Sequence, residues 1–234
     1  MLVKLAFWRY RRERIFINLG VDSRAIQYQR NSGILIKYLP EQSVPLIAQW
    51  IVEFDFKLKI KRERSTRLGD YTPPRNGLNH TITINHNLNR YAFLITLVHE
   101  VAHLVTYNQF GNRVNPHGRE WKQNFQKLIQ PFLNTDIFPV EVFSALRAYM
   151  QNPAAASCSD ENLLRTLKLH DAQNGLVFLE YLPHGCLFLY NGSRIFKKGE
   201  KIRKRFKCSE ISTGHIYLFN PLVEVEVFES VSNS

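Results

Sequence analysis

The sequence predicts an α+β fold, with helices and a small sheet in the first two thirds and a smaller, mostly β domain after them. Three observations predict it. Apolar residues recur at helical spacing at Leu46, Ile47, Trp50, Ile51 and Phe54, through 91–107, and again at Trp121, Phe125, Leu128 and Ile129. Between the first two of these, Phe56-Lys57-Leu58-Lys59-Ile60-Lys61 alternates strictly, which is the period of a half-buried strand. Beyond Gln151–Ser159, a small-residue stretch reading QNPAAASCS, the pattern changes to short apolar runs of strand length.

Taken in order, residues 1–33 show no clear period and read as a basic N-terminal extension. Pro45 suits the first turn of the helix that carries Trp50. The lysines of the 56–61 strand discourage edge pairing. Gly69 to Asn79, with Pro73, Pro74 and Gly77, reads as a loop, and Thr81–Ile84 as a second strand. Tyr91 to Tyr107 is apolar nearly all round, so a core helix is expected. Asn115 reads as the N-cap of the Trp121 helix, with Pro116 as its first residue and His117 in its first turn. Pro139 to Tyr149 makes a further helix, and a short one follows, capped by Ser159. Strands are expected at 176–182, 186–190, 215–219 and 223–227, with a basic hairpin over 194–207. The expected domains are a helix-and-sheet unit over 34–150, a linker over 151–162 and a small basic β domain over 163–234.

Composition excludes several classes. With 44% apolar and 22% charged residues in 234, the chain can bury a full core and is neither collagen-like nor wholly disordered. Its longest apolar runs, Tyr91–Ile95 and Cys186–Tyr190, fall far short of the roughly 18 residues a spanning helix needs, so no membrane partner is expected. Leu2–Trp8 is apolar, but Arg9, Arg11 and Arg12 follow it, the reverse of a signal peptide's order. Cys158, Cys186 and Cys208 are odd in number and sparse, which fits a reducing cytoplasm.

The net charge of +11 is local in origin. Residues 1–33 carry seven Lys/Arg against two acids, and 194–207 carry eight against Glu200, so these two segments hold +5 and +7 and the remaining chain is near neutral. Arg194, Lys197, Lys198, Lys201, Arg203, Lys204, Arg205 and Lys207 are the expected nucleic-acid contacts, because cations clustered in this way release counterions from a phosphate backbone. DNA is therefore an expected partner, and the nucleoid the place within the cytoplasm where it would be met.

The chemistry lies on the core helix, in His99-Glu100-Val101-Ala102-His103. Residues four apart share a helix face, so both imidazoles reach one metal while Glu100 points to the adjacent angle. Burying these three polar groups without a partner would be costly. A catalytic zinc needs a third protein ligand and an open position. The longer motif with glycine at 106 and histidine at 109 is excluded, since Thr106 and Gln109 stand there. His117 and Glu120 are the candidates, and His117 is preferred, because a helix N-terminus favours the neutral imidazole that binds metal while Glu120 suits the dipole as it stands.

HEVAHLV followed 14 residues after His103 by PHGREWK resembles the SprT-like family of zinc metallopeptidases, relatives of the Spartan DNA–protein crosslink proteases. The resemblance covers residues 35–150, including Leu68-Gly69-Asp70-Tyr71 and Thr83-Ile84-Asn85. It implies a minimal zincin-like metallopeptidase domain, with one catalytic Zn2+ held by His99, His103 and His117, and with Glu100 as general acid/base. In such a mechanism zinc lowers the pKa of its water to about 7 and polarises the scissile carbonyl, while Glu100 passes the water's proton to the leaving amine. Family members often carry a C-terminal zinc ribbon. Here Cys186 stands alone near His184, and Ile211 falls where a partner for Cys208 would be, so the β domain resembles a ribbon that has lost its metal. In place of that metal, Phe188, Tyr190, Phe196, Phe206, Ile216, Tyr217 and Phe219 are expected to supply packing, with both cysteines as small buried groups.

The implied function is zinc-dependent cleavage of protein substrates bound or crosslinked to DNA, in its repair or maintenance, with the edge of strand 81–86 pairing an extended substrate. The alternatives are a non-enzymatic zinc-containing DNA-binding or adaptor protein, and a regulatory peptidase that works independently of DNA.

Overall fold

A computed structural model describes residues 20–64, 67–75, 77–154, 160–172 and 175–228. Residues 1–19 of the basic extension, Cys158 and the expected Ser159 cap lie outside these described residues. The chain forms two compact units, Met1–Ile137 and Phe138–Ser234.

Among the described residues the first unit begins with α1 (Gly20–Leu35), which starts within the 1–33 segment that shows no sequence period and runs past its end, and α2 (Val44–Glu53), which buries Ile47, Ala48, Trp50 and Ile51. Then come β1 (Phe56–Lys61), β2 (Gly69–Thr72) and β3 (His80–Asn85), in spatial order β1-β3-β2. β1 runs parallel to β3, with Leu58 opposite Ile82, and β2 runs antiparallel to it, with Gly69 opposite Ile84. Two expectations are corrected here. The 69–79 stretch is not all loop, since its first four residues make β2. Nor is strand 81–86 an edge: β3 is central, and its backbone bonds are used on both sides. β2, only four residues long and followed by Pro73-Pro74, has too little length to show a period.

α3 (Arg90–Phe110) fills the core of this unit. Asn89 caps it, its side-chain oxygen accepting from the Tyr91 and Ala92 amides, and Gly111 ends it at φ 61°. Every residue from Ala92 to Ala102 is buried, which is why this helix shows no polar face in sequence. α4 (Arg119–Ile129) packs against it through Trp121 and Phe125. Asn124 donates to Thr106 Oγ1 at 2.9 Å and to Gln109 Oε1 at 3.0 Å, so the residues at 106 and 109 serve to clamp α4 onto α3.

The second unit holds α5 (Val140–Tyr149), α6 (Glu161–Lys168) and β4 (Leu176–Phe178), β5 (Leu187–Tyr190), β6 (Arg194–Ile202), β7 (Arg205–Glu210), β8 (Ile216–Phe219) and β9 (Glu224–Val227). Asp160 caps α6 by accepting from the Leu163 amide. The expected strand 176–182 stops at Phe178, where a 3-10 turn over Leu179–Tyr181 takes over. The six strands form one sheet, ordered β4-β9-β5-β6-β7-β8. Its core is Leu179, Leu182, Phe188, Phe196, Cys208, Phe219 and Val225, flanked by Tyr190, Phe206, Tyr217 and Cys186. Ile216 does not join them and stays 53% exposed, because it alternates with Tyr217 and so turns to the other face. α5 belongs to this unit, so the expected 34–150 domain and the first compact unit are not coextensive. Among the described residues no helix is long and apolar enough to cross a membrane.

Candidate metal centre

His99 and His103 project one turn apart from α3, in its buried stretch and just beyond it. His117 comes from the turn before α4. It is not in a first helical turn as expected: α4 starts at Arg119 with Gly118 as its N-cap, and His117 takes φ 59°. The Gly118 amide donates back to the Asn115 carbonyl at 2.9 Å, and a Cβ on Gly118 would meet that oxygen, so the Pro-His-Gly turn is built around a missing side chain. The result is convergence. His103 Nε2 lies 2.8 Å from His117 Nε2, which lies 3.3 Å from His99 Nε2.

The rings are held from below by Trp121, whose centroid lies 4.6 Å from that of His99, 5.3 Å from His103 and 4.7 Å from His117. Burial drives the imidazoles to their neutral form. His99 is pushed down to about 2 and His103 to about 3, by desolvation first and by the neighbouring imidazoles second, and His117 is also lowered by burial. Three neutral nitrogens with their lone pairs facing one another are a poor resting arrangement without a cation between them. They are a good one for a metal: nitrogen ligands about 2.0–2.1 Å from a tetrahedral zinc stand roughly 3.3 Å apart. The three side chains could hold a metal ion. Glu120 is not part of this group.

Glu100 is 5% exposed and lies against β2. A Cβ at Gly69 would stand 3.0 Å from Glu100 Oε1 and 2.8 Å from Thr96 Cγ2, so the glycine makes room for the carboxyl. The Tyr71 amide donates to it. Its pKa is raised to about 8, chiefly by desolvation and then by Asp70, while Arg64, Arg67 and the Tyr71 amide pull the other way. Asn85, buried at the end of β3, fixes those neighbours: it accepts from Arg64 Nε at 3.0 Å and donates to the Arg64 and Arg67 carbonyls, and Arg64 pairs with Asp70. Tyr71 lies parallel to the His103 ring at 6.5 Å, and its hydroxyl bonds His80 Nδ1 at 2.8 Å. The part played by Gly69, Asp70 and Tyr71 is not legible in the sequence as spacing, because it depends on β2 lying beside α3. Tyr107 is 6.2 Å from Tyr71 by ring centroid, and Arg119 is exposed at the start of α4.

The eight expected nucleic-acid contacts divide. Lys197, Lys201, Arg203, Lys204, Arg205 and Lys207 are exposed on β6, β7 and their turn. Two are engaged within the unit. Arg194 Nε donates to Glu210 Oε1 at 2.7 Å, and its guanidinium covers the Tyr217 ring at 4.8 Å. Lys198 is 4% exposed, its Nζ donating to the Leu182 and Glu180 carbonyls at 2.5 and 3.1 Å and lying 4.1 Å from the centre of the Phe206 ring. Period two explains it: Lys198 follows Phe196 onto the core face.

Comparison with known proteins points to one family. Residues 47–141 match the SprT-like family. The chain is 56% identical over 27 residues to Protein SprT of Pseudomonas fluorescens (strain Pf0-1), covering 12% of this chain and 16% of that protein. It is 54% identical over 35 residues to Protein SprT of Pseudomonas aeruginosa (strain LESB58), covering 14% and 21%. The chain thus spans about a fifth or less of the length of these curated relatives. No solved structure matches it.

Proposed function

We propose that this chain, whose residues 47–141 carry a SprT-like domain, is a zinc-dependent endopeptidase that acts on proteins bound or crosslinked to DNA. The observation that carries the reading is the convergence of His99, His103 and His117 beside a buried carboxyl that no ligand role requires. A purely structural zinc site has no use for Glu100.

His99, His103 and His117 would hold the metal through Nε2, leaving a position for substrate. Zinc bound there supplies Lewis-acid polarisation of a carbonyl and activation of water at neutral pH. The chain's own residues supply the rest. Glu100, at the edge of β2, accepts a proton from the attacking water and delivers it to the departing amine; a carboxyl raised towards neutral pH is suited to both halves of that exchange. The Tyr71 amide and the missing side chain at Gly69 fix where the carboxyl oxygens sit. Trp121 keeps the three rings in place and excludes water behind them.

An extended substrate would pair along β2, the edge strand beside Glu100, in place of the central β3. Recognition by backbone hydrogen bonds tolerates many sequences. The +7 carried by residues 194–207 supports DNA-bound proteins as the class. The test is incubation of pure zinc-loaded protein with a basic DNA-binding protein, with and without DNA, beside a Glu100→Gln control. DNA-stimulated fragmentation that the control lacks supports the reading, and intact substrate under all conditions contradicts it.

A further inference from the structure

We propose that the outer face and tip of the β6–β7 hairpin bind the phosphate backbone of double-helical nucleic acid, and that no base is read or stacked. This rests on the DNA partner proposed above and names the form that partner takes.

Sheet alternation sorts the hairpin's side chains by chemistry. Phe188, Phe196 and Phe219 are buried in the core, Phe206 packs beside them under the Lys198 and Lys201 ammonium groups, and the Tyr217 ring is covered by Arg194. The opposite face carries Lys197 on β6 and Lys207 and Ser209 on β7, with Ile216 and Leu218 beside them on β8. No ring of β5 to β8 is left on that face. Single-strand binders depend on such rings, on which successive bases stack. What the β6 and β7 part of this face offers is charge, which reads phosphates through counterion release.

The arrangement of that charge favours two strands over one. Lys197 on β6 and Arg205 and Lys207 on β7 share the outer face, Arg203 and Lys204 stand at the turn, where Arg203 takes φ 54°, and Lys201 lies over Phe206 on the other face. β5 and β8 flank the hairpin, so the outer cations stand on a broad sheet face, and a duplex offers such a face two phosphate rows, one on either side of a groove. A single strand offers one row and gains its hold from stacked bases, for which this face has no ring. At the base of the hairpin, Lys197, Lys207, Ser209 and His184 share the wall of a shallow depression of about 290 Å³, with Glu200 the acid beside them. Cations, a hydroxyl and an imidazole converging there suit one phosphate group.

The test uses the full chain with fluorescent probes: a 25-base-pair duplex, its single strand, and vesicles of phosphatidylcholine with anionic phosphatidylglycerol. The duplex is expected to bind at least tenfold tighter than the single strand, with little dependence on base composition. Lys197→Gln with Lys207→Gln should flatten the slope of log K against log salt by about 1.8, at roughly 0.9 for each phosphate no longer neutralised. Both side chains are exposed, and an unchanged melting temperature shows that the fold survives. Tighter binding to the single strand, an unchanged salt slope, or vesicle binding in place of duplex binding overturns the proposal. Failure to bind any nucleic acid overturns it together with the DNA part of the proposed function, whereas loss of proteolysis alone, with duplex binding intact, overturns only the peptidase reading.

Discussion

The Nε2 atoms of His103 and His117 stand 2.8 Å apart although one side chain projects from α3 and the other from a left-handed turn. Neither setting alone makes a site. The clamp from Asn124 on α4 to Thr106 and Gln109 on α3 brings the His117 turn over the helix, and Trp121 then fills the space beneath the rings.

Removing one member of that group should therefore remove the metal. Elemental analysis of the wild type is expected to find one zinc per chain, His117→Ala to find none, and Cys186→Ala with Cys208→Ala still to find one. Two zincs in the wild type falling to one in the double cysteine variant would show a second site in the β unit.

Gly69→Ala places a methyl 2.8 Å from Thr96 Cγ2 and 3.0 Å from Glu100 Oε1. The strand or the carboxyl must shift by several tenths of an ångström. The expected outcome is full zinc content with proteolysis reduced by tenfold or more, since misplacing a catalytic group by about 1 Å costs on the order of 10²-fold. Cleavage at the wild-type rate would show that the carboxyl's position is not set by β2.

Burial gives the metal-free protein a pH dependence whose sign follows from the shifts. His99 and His103 have folded pKa values of about 2 and about 3 against an ordinary 6.5, so below pH 6.5 the unfolded chain binds protons that the folded chain refuses. Their contribution is complete above 6.5 and is lost as pH falls through the folded values. Glu100 runs the other way: raised from 4.5 to about 8, its contribution is complete below 4.5 and is lost as pH rises towards 8. With two imidazoles opposing one carboxyl below 6.5, and the carboxyl alone above it, thermal stability in chelator should peak near pH 6.5. Calorimetry from pH 4 to 9 measures it, and a flat profile across that range contradicts these environments.

Lys198→Met tests the division of the basic residues. It leaves the Glu180 and Leu182 carbonyls without their donor and removes the cation from the Phe206 face, at a cost of about 2 kcal/mol in the β unit. Duplex affinity should stay within about twofold, because that ammonium faces the core. A drop in affinity equal to that of an exposed lysine would return Lys198 to the contact surface.

How much of the fold and site is legible in the sequence varies by residue, for physical reasons. α3 and its His-Glu-x-x-His pattern are legible because three polar groups on a helix buried all round need a common partner, and a metal supplies one. β2 is not, because four residues before Pro73-Pro74 carry no period, and its importance comes from lying beside Glu100. The left-handed backbone at His117 leaves only one trace, the glycine that follows it. The inward turn of Lys198 is legible in principle, since it alternates with Phe196, but a count of charges along 194–207 ignores which face each one takes.

The most direct measurement is the zinc content and proteolytic rate of Glu100→Gln beside the wild type, on the same DNA-bound protein substrate. The expected result is one zinc in each, with the variant slower by several orders of magnitude, because the three imidazoles remain and the proton acceptor does not. Equal rates with equal zinc would contradict a catalytic role for the carboxyl and, with it, the peptidase mechanism.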